Sequence, residues 1–476
     1  MYCKIKLTVV CTLFALSINA QRVELVTSTS DVKWELSNKL KLKNVSDKKG
    51  YDIIISGKKA QKIEGFGGCF NELGWDALME LSDVDRTKII HDLFSPQEAN
   101  FCYNRIPMGA SDFAMNFYSF NDVADDFDMV NFSIDRDRHI LLRYIKSAMR
   151  ENPKMQFFAS PWSPPAWMKT NNHYALTAST KGVNGLPIER SNTKNATTFR
   201  MLNGYLKAYA LYFSKFIKAY DNEGVKVGSV YVQNEPFSNQ VYASCKWRPE
   251  DLAFFIGEFL GPQFEADSID TEIYFGTANT SIADNVRVAL NDEKASKYIK
   301  GVGFQWSGKK ALPIIRKEYP NLDYVQTESE CGNGNNTWEQ AEYTWSLINH
   351  YLTNGVSAYT YWNMILDHTG VSPWGWRQNA LISINKDTKE VKYNPEYYIM
   401  KHVSSYVLPG ANRLVTNGGE DHLAFINPNG EVVIVLVNKE LVDKNVSIRY
   451  KNKMISLNVK AKSFNTLKFI DKNSVD

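Results

Sequence analysis

Eight short apolar, β-prone runs alternate with amphipathic stretches along this chain, and that alternation constrains the fold more than any other feature. The runs are IEGFGG (63–68), FCYNRIP (101–107), QFFASP (156–161), GSVYVQ (228–233), TEIYFG (271–276), GVGFQW (301–306), DYVQTE (323–328) and SAYTYWN (357–363). Between most of them lie stretches such as Ile134–Arg150, Phe199–Ala219, Pro249–Phe264 and Thr337–Asn354. Their apolar residues recur every three or four positions, the spacing of one helix face. Strands that alternate with helices pair in parallel, because each helix carries the chain back to the end where the next strand starts. Eight such units close into a (β/α)8 barrel. An open doubly wound sheet is the alternative with the same periodicity.

Beyond about Leu381 the pattern reverts to strands alone: VVIVLV (432–437), VSIRY (446–450), MISLNV (454–459) and FNTLKF (464–469), separated by turn residues. This predicts an antiparallel sheet domain. Residues 21–60 are strand-like as well, and too short to bury a core by themselves. They are expected to complete the C-terminal sandwich. The predicted fold is therefore α/β: a TIM barrel over 61–385, with a fused antiparallel β-sandwich built from both chain ends. Residues 386–476 carry the last barrel helix and the C-terminal part of that sandwich.

Residues 1–20 read as an export signal, with Lys4 and Lys6, an apolar run from Leu7 to Leu16 and small or polar residues up to Ala20. The run is too short to span a bilayer. The expectation is a protein exported to the periplasm, the cell surface or the medium, with no membrane insertion once the signal is cleaved. The 55 Lys+Arg and 52 Asp+Glu leave a net charge of +3, which does not call for a nucleic-acid or anionic-membrane partner. Past the signal, Cys69, Cys102, Cys245 and Cys331 are scattered without CxxC spacing and read as small buried side chains. The seven His show neither HxxH nor HExxH spacing. No metal and no cofactor are expected.

In such a barrel the chemistry gathers at the C-terminal ends of the strands. Glu235, in VYVQNEPF, follows the fourth run, and Pro236 turns the chain outward there; Glu328, in DYVQTESECG, ends the seventh. Either Glu alone reads equally well as a solvated or helix-capping residue. Together they face each other across the barrel mouth, and glycoside hydrolysis needs one acid over the leaving oxygen and one carboxylate at the anomeric carbon. Asn234 precedes Glu235 and is placed to hydrogen-bond a sugar hydroxyl, or else to satisfy turn backbone. Aromatics recur near the strand ends: Trp162 after the third run, Trp306 after the sixth, Trp362 in the eighth, then Trp374 and Trp376 in SPWGWRQN. That placement suggests walls for a pyranose ring. Arg105 and Asp112, in NRIPMGASDF, flank the end of the second run, as a structural ion pair or as a hold on the nucleophile and a sugar hydroxyl.

The segments GFGGCFNE, NRIPMGASDF, ASPWSPPAWMKTN, QNEP, QTESECG and YWN occur in an order and spacing that resembles glycoside hydrolase family 30, the family of glucosylceramidases and microbial β-1,6-glucanases. The resemblance spans roughly residues 60–400. It implies a (β/α)8 barrel with a fused β-sandwich, and hydrolysis of β-glycosidic bonds with retention. It further implies Glu235 as acid/base and Glu328 as nucleophile, with Arg105, Asp112, Trp162, Asn234 and Trp362 positioning substrate. Glu330 lies two residues past Glu328; Glu328 is preferred because the family nucleophile directly follows a Ser or Thr, here Thr327. One departure stands out. Where glucosylceramidases carry a His at the end of strand six, this chain has Gln305, followed by Trp306. Gln supplies hydrogen bonds but does not titrate.

The FQWSGKKA segment resembles the bacterial β-1,6-glucanase branch, so β-glucan is the expected substrate and partner. Exo-acting β-glucosidase or glucosylceramidase activity is the alternative, as are xylosidase, xylanase or fucosidase activities. A catalytically silent glycan-binding protein is the rival from outside the enzymes.

Overall fold

The computed structural model describes residues 22–45, 50–417 and 419–471. The expected export signal, residues 1–20, lies outside them.

All eight runs form strands, here β1 (Gly65–Cys69), β2 (Tyr103–Pro107), β3 (Gln156–Ser160), β4 (Val227–Tyr231), β5 (Glu272–Ala278), β6 (Ile299–Gln305), β7 (Asp323–Glu328) and β8 (Ala358–Asn363). They pair in parallel in chain order, and β8 returns to β1 from Ala358 opposite Gly65 to Asn363 opposite Cys69. That last ladder closes the barrel and excludes the open sheet. Where β1 meets β2, a Cβ at Gly67 would stand 2.1 Å from the Tyr103 carbonyl oxygen, so only glycine lets the two backbones approach this closely. Tyr103, Phe158, Tyr231, Tyr274, Val325 and Ala358 form a cluster of their own inside the barrel. Because Tyr103 opens β2, this apolar plug leaves the opposite, C-terminal ends of the strands to polar side chains.

The helical stretches follow their periodicity with two irregularities. The stretch from Ile134 breaks at Ile140 into Asp135–His139 and Leu141–Glu151. The helix from Pro249 to Ala266 contains one π-helical turn, Ile256–Leu260. Trp338–Thr353 begins as its sequence suggests, with the Thr337 side chain accepting from the Gln340 amide.

A ten-stranded sheet takes strands from both chain ends, in the order 35–41, 22–29, 463–470, 431–438, 422–426, 412–416, 53–62, 444–450, 453–459 and 43–44. Strand 431–438 shows how it is held. Val432, Ile434 and Leu436 enter the core between the sheet's own layers, while Val433, Val435 and Val437 join the core shared with the barrel. Burial on both faces explains why VVIVLV is apolar without alternation. One pair departs from the expected antiparallel pattern: 444–450 runs parallel to 53–62. Strand 53–62 leads straight into β1, so the barrel dictates its direction. A small third sheet (365–367, 382–384, 391–393) anchors both ends of the loop that follows β8.

All four described cysteines are buried with free thiols. No helix among the described residues is long and apolar enough to cross a membrane.

Candidate active site

Arg105, in β2, is fully buried and links several barrel strands through its side chain. Its Nη1 donates to Glu328 Oε2 at 2.6 Å, and its Nη2 donates to Asn234 Oδ1 at 2.6 Å and to Ser160 Oγ at 2.7 Å. Gln305, the last residue of β6, directs Nε2 at Glu328 Oε2 (3.0 Å), Asn234 Oδ1 (2.8 Å) and Thr277 Oγ1 (3.2 Å). Thr277 in turn donates to Asn234 Oδ1 at 2.9 Å. One polar network thus joins residues from β2, β3, β5, β6 and β7 with the turn after β4. With three donors converging on Asn234 Oδ1, the amide orientation is fixed.

Glu235 follows Asn234 in a left-handed backbone conformation, φ 45°. Such a conformation costs about 1–3 kcal/mol in a non-glycine residue and persists only where its surroundings enforce it. They do so here: the Asn234 amide donates to the Pro161 carbonyl at 2.8 Å, Asn234 bridges to Thr277 of β5, and Pro236 restricts the next φ. The Glu235 carboxyl accepts from Tyr242 OH at 2.9 Å and Gln240 Nε2 at 2.8 Å, both on Oε2.

The two glutamates therefore sit in unlike surroundings. Burial pushes both carboxyls above the usual carboxylate range. On Glu328 the Arg105 guanidinium opposes that push, while Glu235 and Asp112 add to it. Glu235 is relieved first by two neutral donors, Tyr242 and Gln240. Desolvation is also the main cause that raises Asp112, with Glu235 next. In a cluster of three acids and one guanidinium, the first negative charge belongs on the acid at 2.6 Å from the cation. That acid is Glu328.

The Trp362 indole donates to Asp112 Oδ2 at 3.2 Å, and its ring stacks on Trp162 with centroids 5.0 Å apart. The Arg105 guanidinium lies 4.2 Å above the Trp162 ring. Asp112 Oδ1 and Gln305 Oε1 are buried without a partner among the described residues. Trp374 is buried in a stack with Phe117 at 4.0 Å, and Trp376 packs on Tyr242 at 4.7 Å. Trp306 opens the short helical turn Trp306–Lys310 and packs half-buried on the main core, outside the Arg105 network. Glu330 accepts from Tyr343 OH at 2.5 Å and takes no part in that network.

Sequence reasoning missed four groups that touch the two glutamates or their partners: Ser160, Tyr242, Gln240 and Thr277. Ser160 and Thr277 lie toward the C-terminal ends of β3 and β5, the position where functional side chains were sought. Tyr242 and Gln240 lie in a loop without periodicity, and no local signal marks them.

A (β/α)8 barrel with one carboxyl in the turn after β4 and one at the end of β7, a guanidinium on the latter and aromatic rings beside them, defines a carbohydrate-cleaving barrel. The chain belongs to glycosyl hydrolase family 30: the model of that family's TIM-barrel domain matches residues 63–407, and the model of its β-sandwich domain matches 410–467. It is a glycoside hydrolase. Among relatives it is 26% identical to the lysosomal acid glucosylceramidase of Mus musculus over 421 residues, 82% of this chain and 78% of that protein. It is 27% identical to the endo-1,6-beta-D-glucanase neg1 of Aspergillus fumigatus over 421 residues, covering 84% and 83% of the two chains. Among solved structures it superposes on the endo-beta1,6-glucanase BT3312 with a TM-score of 0.79 at 26% identity, over 95% of this chain and 100% of that one.

Proposed function

We propose that the protein is a retaining, endo-acting hydrolase of β-1,6-linked glucan, with Glu328 as nucleophile and Glu235 as acid/base. The observation that carries this reading is the asymmetry of the two carboxyls: Glu328 lies 2.6 Å from a guanidinium, whereas Glu235 meets only neutral donors. Ionised Glu328 attacks the anomeric carbon while Glu235 gives its proton to the departing glycosidic oxygen. The sugar is then esterified to Glu328, and the negative charge that had held the Glu235 proton is gone. Glu235 ionises, takes a proton from the incoming water, and the hydroxide displaces Glu328 to restore the original configuration. The cycle requires the carboxyls about 5–5.5 Å apart, and it uses no cofactor.

Arg105 holds Glu328 charged. Asn234, Asp112 and Gln305 meet sugar hydroxyls, and Trp162, Trp306, Trp362 and Trp374 shape the walls against the pyranose rings. Polymer is favoured over glycolipid by Gln305, which stands where the resemblance places a His in glucosylceramidases. The likeness to proteins named as endo-1,6-glucanases supports the same choice. Glucosylceramide hydrolysis is the second reading, favoured by the mouse relative.

The test is a product profile on β-1,6-glucan, β-1,3-glucan, xylan, an aryl β-glucoside and glucosylceramide, beside a Glu328→Ala control. Short oligosaccharides from β-1,6-glucan alone, absent in the control, support the proposal. Release of glucose only from the aryl glucoside or the glycolipid replaces it with an exo-acting enzyme. Cleavage of none of the five returns the glycan-binding rival.

A further inference from the structure

Lys169, in the ASPWSPPAWMKTN segment, carries an ionisable side chain that the reaction above leaves unused. It is fully buried, and no carboxylate among the described residues pairs with it. Burial pulls its ammonium down to about 7, with only the Cys245 thiol acting the other way. A lysine kept in such a place has to be compensated by what it binds. Its Nζ donates to two main-chain carbonyls on two different loops: Tyr174, in the loop after β3, and Ser244, in the loop after β4, the latter at 2.5 Å.

Those loops are joined at further points. The amides of Leu176 and Thr177 both donate to the Gln240 carbonyl at 3.0 Å, and the Ser244 amide donates to the Tyr174 carbonyl at 3.1 Å. Asn184, also buried, donates through Nδ2 to the carbonyls of Thr177 and Val241, each at 2.8 Å. Every one of these ties grips residues 240–244, the segment that carries Gln240 and Tyr242, the two donors on Glu235.

We infer that Lys169 and Asn184 are positioning residues for the acid/base: they lock the loop after β3 against residues 240–244, and so hold Gln240 and Tyr242 on the Glu235 carboxyl. This rests on the reading of Glu235 as acid/base, and the test separates the two claims.

Proton donation matters for a poor leaving group and hardly for a good one, so loss of the brace is read by comparing the two. Phenyl β-gentiobioside and 2,4-dinitrophenyl β-gentiobioside, two β-1,6-linked diglucosides, serve as probes. In Lys169→Met, which keeps the length and apolar stem but not the donors, kcat/KM on the phenyl substrate falls about 30-fold, part of the 10²–10⁴ that a general acid supplies. On the dinitrophenyl substrate kcat/KM stays within about threefold, whereas kcat and KM fall together because the covalent intermediate accumulates when the base is misplaced. Asn184→Ala shows the same split, more weakly, and carries the test if Lys169→Met does not fold; thermal melting establishes which variants are folded. Equal losses on both substrates, or no loss, overturn the inference. Glu235→Gln is measured alongside. If it too shows no leaving-group split, the acid/base reading fails first; if it shows the split and the Lys169 and Asn184 variants do not, only the brace is wrong.

Discussion

Arg105→Met removes the guanidinium while keeping most of the side chain's length. The wild-type group is fully buried and donates to Glu328 at 2.6 Å, to Asn234 at 2.6 Å and to Ser160 at 2.7 Å. Taking one partner from a buried ion pair costs about 3–5 kcal/mol, because the other charge is left without compensation. Arg105 lowers the pKa of Glu328, so its removal raises that pKa. One pKa unit corresponds to 1.36 kcal/mol. If the lower figure, about 3 kcal/mol, falls on the ionised form of Glu328, its pKa climbs by about two. Below the wild-type pKa the ionised fraction, and with it kcat/KM, drops about 100-fold, and between the two values by less.

Arg105 also lowers the Glu235 pKa, though it ranks there behind burial and the two neutral donors, so the alkaline limb moves less. The expected result is a pH profile of kcat/KM whose acid limb shifts upward by about two and whose active range narrows. Initial rates between pH 4 and 9 on phenyl β-gentiobioside measure it, with Arg105→Lys as a variant that keeps a charge but loses the fork. A uniform loss at every pH with the acid limb unmoved would refute the electrostatic role and leave Arg105 as a purely geometric support.

Two further predictions concern stability. Glu396 is fully buried, accepts from Asn379 Nδ2, and is pushed by burial up to about 7. Its folded pKa lies above the unfolded value of about 4.3, so the stability of its neutral form is fully present below about 4.3 and is lost as pH rises through about 7. Glu396→Gln is expected to flatten the fall in melting temperature over that window, and an unchanged slope in calorimetric scans from pH 4.5 to 8 sinks the argument. At Gly67 an added methyl meets the Tyr103 carbonyl at 2.1 Å and Asn104 Oδ1 at 2.6 Å, one of them backbone of a barrel strand that has no room to move. Gly67→Ala should therefore cost about 3 kcal/mol in urea unfolding, and a loss below about 1 kcal/mol would show that β1 and β2 separate more easily than the register implies.

How far the fold was legible depended on whether its signal was local. Each barrel strand carries its own apolar run, and each run emerged as a strand in the expected place. The break at Ile140 and the π-helical turn at Ile256–Leu260 had no such mark, because both interrupt helices whose periodicity continues across them. The parallel pairing of 444–450 with 53–62 was equally hidden, since strand direction there is inherited from β1 and not from either strand's residues.

The candidate site divides in the same way. Glu235 and Glu328 could be found because a barrel sends strand ends to one face, so position in the chain stands for position in space. The preference for Glu328 over Glu330 rested on a neighbouring Thr in sequence; the structure adds that Arg105 lies 2.6 Å from Glu328 and Tyr343 lies 2.5 Å from Glu330, contacts that sequence does not show. Tyr242 and Gln240 carried no sequence signal at all, and Lys169, though inside the ASPWSPPAWMKTN segment, carried none that marked it as buried. A lysine in a loop reads as solvated until the loops on either side close over it.

By itself, the sequence determined what repeats along the backbone: eight strand-helix units, a strand-rich tail, and two acids at strand ends. Periodicity is enforced residue by residue, through which face each side chain must bury. Only the tertiary structure decided which acid meets the guanidinium, which one keeps neutral donors, and which buried cation ties two loops together. Those contacts join residues up to 223 positions apart in the chain, as between Arg105 and Glu328. Their strength comes from the exclusion of water, which exists only once the barrel has closed.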